Sequence, residues 1–125
     1  MRSQSTPLLA LSVLRSAAGL VSWVSPAHSW RAFGLGPMRE PGSAGVATRL
    51  FGVRDVALGM ALHHPSSEVR KAAVAAGVGI DALDVAASVL GRRAGAPAAS
   101  LFGVAAGATL FVALGVTILA DTDSW

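Results

Sequence analysis

Apolar positions run along the chain in four long stretches, 8–24, 44–62, 72–91 and 98–120, separated by short polar or Gly/Pro-rich joints. The stretches hold 17, 19, 20 and 23 residues, against the roughly 20 that a helix needs to cross about 30 Å of hydrocarbon. Each is therefore predicted to be a transmembrane helix, and the short joints make neighbouring spans antiparallel. The fold class expected is all-α: a single membrane-embedded four-helix bundle over residues 1–125. Punctuation agrees. Pro65-Ser66-Ser67 stops the second stretch and offers a cap for the third, and Gly95-Ala96-Pro97 does the same before the fourth.

The one longer joint, 25–43, carries Trp30, Phe33, Leu35 and Met38 among Arg31, Arg39 and Glu40. Ser25-Pro26 reads as an N-cap and first helical position, and Gly34 as a stop, which predicts a short interfacial helix anchored at the headgroup level by Trp23 and Trp30. The alternative is a plain loop whose aromatics pack on the ends of the bundle.

Composition supports the membrane. Hydrophobic residues make up 53% of the chain, charged residues only 14%, and mean hydropathy is +0.58, whereas a soluble domain has about 25% charged residues. The absence of Cys excludes disulfides, thiolate chemistry and Cys-based metal sites. Although the isoelectric point is about 11.1, the cations are scattered singly or in pairs and form no phosphate-binding face, so nucleic acid is set aside as a partner. Arg2 ahead of an apolar run, with Ser16-Ala17-Ala18 behind it, has some marks of a secretory signal. Arg15 beside that small-residue site argues against one. Orientation stays open: Arg2, Arg70 and Lys71 fall on one side, and Arg31, Arg39, Arg92 and Arg93 on the other.

The candidate chemistry lies in the charges inside the spans. Arg15, Arg49, Arg54, Asp55, Asp81 and Asp84 all fall within apolar stretches, in equal numbers of each sign. Each costs about 2.5–3.5 kcal/mol at a span centre, so they must be paired or wet. Helical spacing says where they point. Ser12, Arg15, Gly19 and Ser22 share a face of the first span; Gly45, Thr48, Gly52, Asp55, Gly59 and His63 share one of the second; Gly77, Asp81, Asp84 and Ser88 share one of the third. In lipid such small and polar stripes turn toward other helices. They place Arg15, Asp55, Asp81 and Asp84 around a common interior, with Arg49 about 80° to one side and Arg54 roughly a third of a turn away. Asp81 and Asp84, three residues apart, repel unless an Arg lies between them, and only the Asp residues can change protonation state, since Arg keeps its charge. The fourth span has Gly103 and Gly107 at a small-xxx-small spacing and is otherwise greasy, a packing wall through which the chain could self-associate.

Three functions fit this pattern. One is binding or translocation of a small or lipid-like ligand, anionic or proton-coupled, at the midplane cluster. Another is an accessory subunit of a membrane complex in which the ion pairs only set helix register. The third is a membrane-embedded enzyme moving a proton with Asp81 or Asp84 while Arg15 or Arg49 steadies negative charge. No nucleophile–base pair or phosphate loop is present, so no catalytic residue and no cofactor is assigned. His28, His63 and His64 lack a third partner, so no metal is assigned either. The expected partners are the lipid bilayer and either a second copy of the chain or a membrane subunit.

The segment Arg49-Leu50-Phe51-Gly52-Val53-Arg54-Asp55-Val56-Ala57-Leu58-Gly59 resembles the R-x-x-G-x-R-D-x-x-L-G pattern of a family of small bacterial and fungal four-span membrane proteins known only as a domain of unknown function. The segment 26–36, ending Phe33-Gly34-Leu35-Gly36, and the Asp81-x-x-Asp84 pair are similar to that family's layout. The resemblance implies a four-span fold and a membrane location, and no activity.

Overall fold

The computed structural model describes residues 5–121 together with Asp123 and Trp125, and these are helical with no strand. Arg2, one of the cations in the charge tally, lies outside the described residues. Helix α1, Thr6–Val24, starts on Ser5, whose hydroxyl accepts from the Leu8 amide, with a Pro in its first turn. Helix α2, Pro26–Ala32, is the short helix expected after Ser25-Pro26; it ends before Gly34, which takes the left-handed conformation at φ 72°. Helix α3 spans Pro41–Ala61. Helix α4, Ser67–Arg93, is capped by the Ser66 hydroxyl and has Glu68 in its first turn and Arg92 and Arg93 in its last, each sign complementing the helix dipole. A π-helical turn, Leu101–Ala105, runs directly into helix α5, Ala106–Ala120.

The predicted stripes are the buried faces except at His63, which is exposed, and Asp84, which is half-buried. In α3 the buried residues are Gly45, Thr48, Gly52, Asp55 and Gly59; in α1 they include Ser12, Arg15, Gly19 and Ser22; in α4 they include Gly77, Asp81 and Ser88. The helices assemble as two closely packed antiparallel pairs, α1 with α3 and α4 with α5, while α3 and α4 touch only lightly. Glycine makes the first pair possible. A Cβ on Gly19 would stand 2.6 Å from the Gly52 carbonyl oxygen, and one on Gly59 would stand 3.2 Å from the Ser12 carbonyl oxygen.

Three layers follow along the bundle. At the end holding the α4 N-terminus, Leu8, Leu11, Leu62, Val74 and Ile118 form a fully buried apolar core. Ion pairs occupy the middle. Toward α2 the helices separate around a cavity, and Trp30, Phe33 and Leu35 turn into it. The segment 25–43 thus combines both expectations for it, a short helix whose aromatics pack against the bundle. Ser22 and Ser29 bind it to α1 through a 2.6 Å hydroxyl–hydroxyl hydrogen bond, and Phe33 packs edge-on against Phe51.

Among the described residues three helices are long and apolar enough to cross a membrane: Thr6–Val24, Ser67–Arg93 and Leu101–Ala120. The sequence predicts four; α3, with 21 residues, has the length but falls outside this set because it carries Arg49, Arg54 and Asp55. The fourth helix also begins later than residue 98, because 98–99 form a turn ahead of Ser100 and the π-helical segment. Nor do Gly103 and Gly107 form one free face. Gly103 lies against the Phe33 backbone, where a Cβ could not fit, and Gly107 faces the cavity.

Candidate functional site

Arg15 is the hub of the middle layer. Its side chain, 3% exposed, reaches from α1 between α3 and α4, where one Nη donates to Asp55 Oδ1 and to Asp81 Oδ1, both at 3.3 Å. The other Nη closes a two-pronged pair with Asp81 Oδ2. Gly77, one turn before Asp81, makes the passage: a Cβ there would stand 2.6 Å from the Arg15 guanidinium. The face of that guanidinium rests on the Phe111 ring, 4.8 Å from its centroid. Helix α5 therefore contributes to the site. No charge or small-residue pattern on the fourth stretch could have singled out Phe111.

Arg54 does for Asp84 what Arg15 does for Asp81. It donates to both Asp84 oxygens, at 2.8 and 3.4 Å, while its face lies on Phe51, 4.8 Å from the centroid. The two side chains are less deeply set, 33% and 24% exposed. The neighbours Asp81 and Asp84 thus each take a different Arg from a different helix, which removes the repulsion inherent in their spacing. Asp55 stands between the two cations, 3.3 Å from Arg15 and 3.9 Å from Arg54.

This cluster is not closed. Asp55 is 1% exposed, yet among the described residues its Oδ2 has no hydrogen-bond partner, and neither does the buried Nε of Arg54. An unsatisfied buried acceptor costs about 1–3 kcal/mol. Two guanidiniums face three carboxylates, leaving a formal surplus of one negative charge. All three carboxylates line the cavity, whose volume is about 330 Å³, whereas Arg15 and Arg54 stand behind them and do not line it. Most of the remaining wall is apolar, with Trp30, Phe33, Phe51 and Phe111 as its rings and small residues such as Gly107 and Ala108 as its floor.

Arg49 is corrected out of this group. It is exposed, and its Nε donates at 3.1 Å to the Trp23 carbonyl at the end of α1, consistent with its place off the inward stripe. It acts as a C-terminal cap for α1. Arg49→Ala is expected to cost no more than about 1 kcal/mol in a detergent unfolding titration, the value of one exposed hydrogen bond. At the opposite end, His63 Nε2 is bound to the Ser12 hydroxyl, and His64 Nδ1 accepts from the Ser66 amide. His63 thus ties the end of α3 to α1, and His64 serves the joint between α3 and α4.

No protein-family model, curated protein or solved structure matches this chain.

Proposed function

We propose that the protein crosses a cell membrane four times and binds a small lipid-like ligand in the cavity between α2, α3, α4 and α5. The likeness of residues 49–59 to the four-span family points to the same topology. Support for α3 as the fourth span comes from its surface: Val46, Leu50, Val53 and Met60 are exposed outward, as are Leu9 and Leu20 on α1, Leu83 and Leu90 on α4, and Leu110 and Val116 on α5. With Asp55 buried and Arg54 drawn toward Asp84, α3 presents lipid with an apolar face.

The observation that carries the binding reading is the coincidence of the cavity with the cluster. Its volume of about 330 Å³ lies at the small end of the roughly 300–1,000 Å³ of ligand pockets, and an apolar wall with a few convergent polar groups is their usual make-up. The buried Leu8–Ile118 core seals the bundle beyond the ion pairs, which favours a blind binding site over a through-pore.

Gly107→Leu tests this, because Gly107 lines the cavity and a Cβ there meets nothing within 4 Å, so a longer side chain takes up cavity space. In nanodiscs, a small alcohol bearing a phenyl diazirine is expected to label residues such as Phe51 and Ala108 on irradiation, and Gly107→Leu is expected to abolish that labelling while the melting temperature holds. Labelling confined to outward residues such as Leu50 and Phe102, or unchanged by the substitution, would leave the ion pairs a purely structural role.

A further inference from the structure

Resting on the binding reading above, we infer that the ligand's head group is a hydrogen-bond-donating cation, a primary ammonium on an aromatic or short aliphatic tail, seated against Asp55. Three independent features converge on this chemistry. The charged groups presented to the cavity are Asp55, Asp81 and Asp84, all acceptors, with both guanidiniums held behind them. Asp55, which lines the cavity, has a buried Oδ2 left without a hydrogen bond in a side chain that is 1% exposed, so a donor that reaches it supplies the missing partner. One positive charge also brings the five-membered cluster to neutrality, which in low dielectric outweighs any further hydrogen bond between neutral groups. An anionic head would instead add a second uncompensated negative charge, so the anionic ligand expected from the sequence is set aside.

The aromatic lining agrees. Phe51 and Phe111 already hold guanidiniums against their faces at 4.8 Å, and Trp30 and Phe33 line the same space. Rings around a carboxylate wall stabilise an organic cation through their quadrupoles and accept an apolar tail by the same surface.

The experiment compares three probes with one tail, phenylbutylammonium, phenylbutanol and phenylbutanoate, by equilibrium dialysis against protein-loaded nanodiscs, subtracting uptake by empty ones. The ammonium is expected to bind about ten-fold more tightly than the alcohol, the gain of a full positive charge over a neutral donor at Asp55, with no saturable binding of the phenylbutanoate. Asp55→Asn is expected to erase most of that preference, bringing the ratio of ammonium to alcohol affinity toward one. The wild-type ratio decides the matter even where Asp55→Asn fails to fold. Alcohol bound as tightly as the ammonium, or carboxylate bound more tightly, overturns the cationic head and leaves the cavity as a binding site. Failure of all three probes to compete with the diazirine label overturns the head-group assignment too, and absence of the label itself from the cavity overturns the site.

Discussion

Arg15→Met is expected to destabilise the protein by about 3–5 kcal/mol, because it strands two buried carboxylates that a single guanidinium had compensated. Asp55 would retain only Arg54 at 3.9 Å, and Asp81 would lose both of its hydrogen bonds to Arg15. The measurement is a titration with a denaturing detergent from mild micelles, followed by helical circular dichroism. Unfolding at the wild-type midpoint would contradict the assignment of Arg15 as hub. The cost belongs to the stranded charges more than to the pairs themselves, so Arg15→Met combined with Asp55→Leu and Asp81→Leu is expected to regain most of the loss. A triple variant as unstable as Arg15→Met alone would mean that the network specifies the packing of α1, α3 and α4 and does not merely neutralise itself.

The second large effect lies between α1 and α3. Gly52→Val places a Cβ 2.6 Å from the Gly19 carbonyl oxygen and 3.2 Å from the Trp23 amide nitrogen. Both are backbone atoms, which cannot swing aside as a side chain would, so the helices must move apart. Overpacking of a tight interface costs about 1–3 kcal/mol, and here it would also lengthen the Arg15–Asp55 contact that crosses the same interface. The same detergent titration reads it, with Gly79→Ala on α4 as the control. At Gly79 nothing lies within 4 Å of the added Cβ, so that variant is expected to hold wild-type stability or gain about 0.5–1 kcal/mol through helix propensity. Equal effects at the two glycines would remove the case for a close α1–α3 approach.

Much of this site was legible as periodicity. Arg15, Asp55 and Asp81 lie on the stripes that spacing alone identifies, and Arg49 was already off them by most of a right angle. Arg54 was harder: one residue before Asp55, it points away from the stripe, and only the lateral position of Asp84 on the neighbouring helix brings it a partner. Phe111 and the inward turn of Trp30 and Phe33 had no signal, since an apolar ring reads alike whether it faces lipid, a core or a cavity.

Taken by itself, the sequence determined the helices, their caps, the inward faces of α1, α3 and α4 and the requirement that six charges among apolar residues find partners, because all of these follow from spacing along one chain and from the cost of charge in hydrocarbon. Only the tertiary structure decided which charge meets which, and that Asp55 keeps an oxygen in reserve. Those outcomes depend on how far apart α3 and α4 stand, while α3 is held close to α1 by Gly19 and Gly52 and the Phe33 backbone lies against Gly103. No local pattern encodes the gap between two helices that hardly touch, and the cavity is that gap.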